Sequence, residues 1–171
     1  MQSPTGKPPF AAILPTPFGA LGIIADAEYL REIIFLPGSA AALQPSGIPA
    51  EKAVRQLARY LADPDYRFDL PLAERGSPFR RRTWAAIGEI PRGETRTYSQ
   101  LAESLGSVAR AVGQACGANP YPIVVPCHRV VATGGAGDKK LGGFARERGG
   151  FLLDVKRWLL RHEGISAAQA G

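Results

Sequence analysis

The segment 63–76, DPDYRFDLPLAERG, crowds proline, aspartate and glycine into a stretch without hydrophobic period, and it coincides with a step in charge. Residues 1–76 carry 7 Lys/Arg against 8 Asp/Glu, residues 77–171 carry 14 against 7, and so the net charge of +6 belongs to the second half. A break of this kind divides a 171-residue chain into two small units, each closing its own core. The expected domains are 1–70 and 71–171, with 63–76 as the linker. At 45% hydrophobic residues there is enough apolar surface for both. No apolar run approaches the roughly 20 residues of a membrane helix. The start MQSPTGKPPF lacks the charged and apolar regions of a signal peptide, so a cytoplasmic protein without membrane contact is expected.

In the first half, FAAILPTPFGALGIIADAEYLREIIFL (10–36) breaks short apolar runs at PTPFG and ADAE, the pattern of an antiparallel meander. From Ala50 to Ala62, Val54, Leu57, Ala58 and Leu61 recur at helical spacing. The second half reads as mainly helical. Ser77-Pro78 opens one helix as cap and first residue. Thr97 with Gln100 forms a capping box for another that Gly106 closes, and VARAVGQACGAN follows at once. Two short helices joined at a glycine resemble a helix-turn-helix, and the fold class expected overall is α+β.

On the second of these helices Val108, Ala111, Val112 and Ala115 share one face, and Arg110, Gly113, Gln114 and Gly117 another. Glycine inside a helix costs about 1 kcal/mol relative to alanine, so either a neighbouring helix or an external partner must approach closely there. The basic half is compatible with a polyanionic partner or with a solvated face; charge alone leaves both open. NPYPIVVPCHRVV (119–131) is strand-like but interrupted by three prolines, and the glycine-rich 133–150 is a loop without a phosphate-binding spacing. DVKRWLLRHEG forms a last helix, with Val155, Trp158 and Leu159 inward, and ISAAQAG a frayed tail.

Cys127 stands between Pro126 and His128-Arg129 in a β-branched run. A thiol is useful as thiolate, and at a usual pKa near 8.5 something must favour ionisation; His128 and Arg129 are the local candidates. Adjacent strand residues face opposite ways, so a Cys-His contact requires a turn after Pro126 or a bridging water. Glu163 is the best-placed carboxylate to orient the imidazole. Cys116 reads as a small buried hydrophobe and His162 as a helix-end residue. The cysteines and histidines lack CxxC or HxxxH spacing, so no metal site is expected.

The stretches GETRTYSQLAESLG, ARAVGQACGANP, NPYPIVVPCHRVV and KRWLLRHEG together resemble the O6-alkylguanine-DNA alkyltransferases over residues 77–164. The resemblance implies a ribonuclease H-like N-terminal domain and a C-terminal domain that binds double-stranded DNA in the minor groove. It also implies a single, irreversible transfer of an alkyl group from O6 of a flipped guanine to Cys127, by a monomer without cofactor. Carried over residue by residue, His128 is the water-linked base, Glu163 its partner, and Asn119 the support of the turn. Tyr98 is the donor to the leaving guanine. Arg110, Gly113, Gln114, Thr97 and Ser99 contact DNA, with Arg110 filling the vacated stack. Val130, Arg129 and Phe144 line the pocket, or Lys140 in place of Phe144 if the gap is set differently. The turn LGSVAR is shorter than the family's, the loop after Cys127 is longer, and RERGGFLL (146–153) is extra. Other readings are a helix-turn-helix regulator or alkylation sensor, and a Cys-His hydrolase.

Overall fold

A computed structural model describes residues 9–132 and 150–165. The first half forms the expected meander: β1 (Ala12–Thr16), β2 (Gly19–Ala25) and β3 (Leu30–Leu36) pair antiparallel in that order. A tight turn sets β1 against β2 in the register Ala12↔Ile23 to Thr16↔Gly19. At the next turn the Asp26 carboxylate accepts from the backbone N–H groups of Glu28 and Tyr29, both at 2.8 Å. Gly22 has a steric reason: a Cβ there would meet the Phe10 ring at 2.5 Å. Helix α1 (Ile48–Ala62) buries Ala50, Ala53, Leu57 and Tyr60, the 3.6-residue stripe that covers one face of the sheet.

The proline-rich segment 63–76 is not a free tether. Residues 66–73 belong with the first unit, where the Gln56 amide donates to the Asp69 carbonyl at 2.9 Å and accepts from its N–H at 2.8 Å. Leu72 bridges Leu30 there. Asp63–Asp65 belong with the second unit, in which Asp65 accepts from Arg92 at 2.7 Å. Both pieces of this polar, punctuated segment are thus held down, each by the unit it belongs to.

In the second unit α2 (Pro78–Gly88) starts on the Ser77 side chain, which accepts from Arg80 N. Its buried Trp84 donates to the Ala115 carbonyl at 2.8 Å, pinning α2 to α4 (Ala109–Gly117). Helix α3 (Tyr98–Leu105) has both hydrogen bonds of the Thr97–Gln100 capping box, at 2.8 and 3.0 Å. It ends at Gly106, whose φ of 65° is the left-handed conformation that glycine adopts freely. Helix α5 (Gly150–His162) begins earlier than expected, so Phe151, Leu152 and Leu153 are its first turns rather than an extra loop. The physical reason is burial: Leu153 joins Val131, Leu160 and Ile165 in a core cluster. Ile165, expected in a frayed tail, is 6% exposed and its N–H donates to the Leu160 carbonyl at 2.8 Å.

The strand expected through Cys127 is replaced by a 3-10 turn, Cys127–Arg129, followed by the two-residue β5 (Val130–Val131). The N–H of Cys127 donates to the Val125 carbonyl at 2.8 Å and that of Arg129 to the Pro126 carbonyl at 2.9 Å, local bonds that a strand would direct sideways. β5 pairs in parallel with β4 (Arg96–Thr97), in the register Arg96↔Val130 and Thr97↔Val131. This small ladder sets the start of α3 against the segment that leaves the cysteine. Phe144 and Lys140, two alternatives for one pocket position, lie outside the described residues.

Candidate active site

The approach to Cys127 is a bend spanned by a single side chain. Asn119, just past α4, accepts from Tyr121 N through Oδ1 at 2.9 Å. Its Nδ2 donates to the Val125 carbonyl at 2.9 Å and to Cys127 Sγ at 3.2 Å. Within the bend Ile123 has a φ of 75° while 2% exposed, an uncommon conformation for a β-branched residue, with a typical cost of about 1–3 kcal/mol. The surrounding hydrogen bonds hold it in place, and the strain accompanies the placement of the thiol.

Behind the thiol lies a buried charge network. His128 and Glu163 are both 0% exposed, and Nε2 of the imidazole is 2.8 Å from Oε2 of the carboxylate. Arg129 donates to the same carboxylate through Nε at 2.8 Å and Nη2 at 2.9 Å, and through Nη1 to the Ile90 carbonyl at 2.6 Å. Burial pushes the Glu163 carboxyl up, but His128 and Arg129 outweigh it and hold the group well below the usual carboxylate range. Burial, the largest effect, pushes the imidazole pKa down despite Glu163, so His128 is neutral near pH 7. A neutral ring beside an ionised carboxylate keeps its proton on Nε2, because the carboxylate can only accept. Nδ1 then carries the lone pair, and it has no hydrogen-bond partner among the described residues. A base with a free nitrogen results.

Arg129 therefore serves Glu163 rather than the thiol, and the expectation that it would help ionise Cys127 is corrected. Cys127 is 4% exposed, and its pKa lies well above the usual value. The cause is first the neighbouring Cys116 thiol and then burial, against which Asn119 and Lys156 act weakly. At neutral pH the thiol is therefore protonated. Two neighbours were not found in the sequence. Cys116 pushes the Cys127 pKa up, and Lys156, 0% exposed, donates to the Val130 carbonyl at 2.7 Å. The Lys156 ammonium also lies 5.9 Å from the centre of the Tyr98 ring, and burial lowers its pKa to about 8. A lysine inside an amphipathic repeat reads as solvated, and with buried Val155 beside it the local pattern gives no sign that Lys156 is buried.

Tyr98 is half-buried at the first position of α3, and Ser99 beside it is exposed. The Thr97 hydroxyl is engaged by the cap of α3. Val130 is fully buried behind the turn. On α4, Arg110 and Gln114 are exposed, and a Cβ on Gly113 would meet nothing within 4 Å. Helix packing, one of the two reasons considered for Gly113, is thereby removed. Val108, assigned to the inner face, is 65% exposed because it is the N-cap of α4 and precedes its periodic face. Among the described residues no cluster of three or more His, Cys, Asp or Glu could hold a metal, and no helix is long and apolar enough to cross a membrane.

A buried thiol, followed directly in the chain by a neutral imidazole that an ionised carboxylate orients, defines a cysteine-centred protein of mixed α+β fold. The family model described as 6-O-methylguanine DNA methyltransferase, DNA binding domain, matches residues 78–165. The methylated-DNA–protein-cysteine methyltransferase of Methanosarcina acetivorans is 39% identical over 162 residues, covering 91% of this chain and 98% of the relative. The chain thus belongs to the methylated-DNA–protein-cysteine methyltransferase family. The fold is also similar to that of Mycobacterium tuberculosis OGT solved in complex with DNA, with TM-score 0.70, 34% identity and 92% of each chain covered. Mycobacterium tuberculosis O6-methylguanine methyltransferase gives TM-score 0.72 at 34% identity, over 93% of each chain.

Proposed function

We propose that this protein repairs double-stranded DNA directly, moving an alkyl group from O6 of guanine to Cys127 in one irreversible turnover. The observation that carries the reading is the buried Cys127 thiol held by Asn119, next in the chain to the buried His128–Glu163 pair. His128 Nδ1, through a water, takes the thiol proton; the thiolate sulfur attacks the alkyl carbon, and the carbon–oxygen bond breaks with its electron pair going to the guanine. The Tyr98 hydroxyl hydrogen-bonds the developing charge on the base, and the Lys156 ammonium favours the thiolate electrostatically. Cys127 lies 4% exposed, out of reach of a base stacked in a duplex, so the guanine must be flipped into the site. A thioether is not readily hydrolysed, which makes the reaction stoichiometric and independent of metal or cofactor.

DNA contact is assigned to α3 and α4 as a helix-turn-helix, with Ser99 and Thr97 at the start of the first and Arg110, Gly113 and Gln114 along the second. The open space over Gly113 supports a close backbone approach by the duplex. Gly113→Ala should raise stability by up to about 1 kcal/mol, as helix propensity dictates, and weaken duplex binding. Equal stability gain with unaltered binding, measured by denaturation and fluorescence anisotropy, would remove Gly113 from the interface. Tyr98→Phe should slow transfer more than it weakens binding, by roughly the ten- to hundredfold that a lost charge-stabilising donor costs. An unchanged single-turnover rate would sink that role.

The direct test is to incubate the protein with a duplex carrying O6-methylguanine and weigh its peptides. One methyl per molecule on the Cys127 peptide is expected. Binding without transfer would overturn the proposal in favour of a DNA-binding sensor, and repeated turnover on an ester in favour of a hydrolase.

A further inference from the structure

We propose that Val108 is an apolar contact to duplex DNA, seated against the sugar edges of the minor groove just ahead of Arg110; the proposal rests on the DNA-repair reading. Three observations meet at this residue. Among the described residues of the second unit it is the one large apolar side chain that is exposed, at 65%. Val112 and Ala115, which share its helical period, are buried in the core, but Val108 has extended backbone (φ −123°, ψ 153°) and stands outside the helix. It is also the N-cap of α4 and makes no side-chain hydrogen bond there, although that position favours Ser, Thr, Asp or Asn and disfavours valine. The neighbouring helices are capped in the ordinary way, Ser77 accepting from Arg80 N on α2 and Thr97 from Gln100 N on α3. A valine that neither caps nor packs lowers stability on both counts, and an interface offsets that loss.

The surroundings of Val108 say what covers it. Exposed Arg110 follows two residues later, and no Asp or Glu occurs from Ser104 to Val125 to repel a phosphate backbone. Further along the same helix the space over Gly113 is open, so the surface is continuous with the one assigned to the duplex. The turn that presents the valine is already fixed: Ser107 N donates to the Ala102 carbonyl at 2.8 Å and Gly106 N to the Glu103 carbonyl at 3.2 Å, so little freedom is lost on binding. Proteins that enter the minor groove combine cationic side chains with apolar ones that press on sugars and base steps. Arg110 supplies the cation and Val108 the apolar surface. The two contributions differ in one measurable respect. Phosphate neutralisation releases counterions and sets the slope of affinity against salt, whereas burial of a valine releases none.

The full-length protein, Val108→Ala and Val108→Ser are titrated against a fluorescent unmodified duplex at several salt concentrations, and their thermal midpoints are recorded. Val108→Ala should bind about three- to tenfold more weakly, the loss that follows when the branched methyls leave a contact, with the salt slope and the midpoint of the parent. Val108→Ser should bind as weakly but melt about 2–4 °C higher, because its hydroxyl caps α4. Stability and affinity thus move in opposite directions, which a residue that only supports the fold would not produce. Binding by Val108→Ala as tight as the parent's, or a loss that comes with a changed salt slope or a lower midpoint, would overturn the inference while the repair reading stands. Weaker self-association of Val108→Ala in sedimentation, with DNA affinity intact, would overturn it in favour of a contact between copies of this chain. A parent that binds no duplex at any salt concentration would sink the repair reading and this inference together.

Discussion

Cys127→Ala is expected to reduce methyl transfer from an O6-methylguanine duplex from one equivalent per protein to none, while duplex binding persists. The thiol sits at the end of the Asn119-spanned bend, and its sulfur accepts one hydrogen bond, from Asn119 Nδ2. Asn119 retains its bonds to Tyr121 N and the Val125 carbonyl when that sulfur is gone, so the fold should lose only about 1 kcal/mol. Transfer is read by mass on the peptide that contains residue 127, and binding by anisotropy with unmodified duplex. Residual methylation of the variant at another site would remove Cys127 as the acceptor.

Glu163→Gln should have the largest effect on stability. Glu163 is 0% exposed and serves His128 and Arg129 at once, so the neutral amide leaves the Arg129 guanidinium without its counter-charge. Breaking a buried pair from one side typically costs about 3–5 kcal/mol. The amide could also donate to Nε2 and reverse the ring tautomer, placing the proton on Nδ1 where the base is needed; transfer should slow at least tenfold even in molecules that fold. The pH dependence follows from the depressed carboxyl pKa. Stability from ionised Glu163 is fully present above its unfolded value near 4.5 and is lost as pH falls toward the folded value. Denaturation midpoints of the parent should therefore decline below about pH 4.5, and this decline should be shallower in the variant. Equal slopes would mean that other carboxylates govern acid unfolding.

What could be read from the residues was whatever their own neighbours determine. Thr97 with Gln100, Ser77 with Pro78, and Gly106 define helix ends through bonds made within three or four residues. The meander strands likewise show in the interruptions at PTPFG and ADAE. What escaped depends on partners distant in sequence. Lys156 is buried because the β4–β5 pairing brings the Val130 carbonyl to it, 26 residues away. Arg129 leaves the thiol because Glu163, 34 residues on, draws its guanidinium. The 3-10 turn was hidden for a different reason: three residues are too few to show any period, and β-branched flanks argued for a strand.

The allocation of 63–73 has a practical meaning for anyone who would take the chain apart. Asp63–Asp65 go with the second unit and Tyr66–Ala73 with the first, so the backbone changes allegiance three times within a dozen residues. No single peptide bond separates the two. A fragment begun at Pro78, where the family's DNA-binding region starts, would lack Asp65. Arg92, which donates to Asp65 and through Nη1 to the Glu163 carbonyl at 3.3 Å, would lose half of its clamp. The Glu163 backbone just past α5 would be held less firmly, so a fragment that binds DNA yet transfers poorly would reflect a missing aspartate rather than a missing domain.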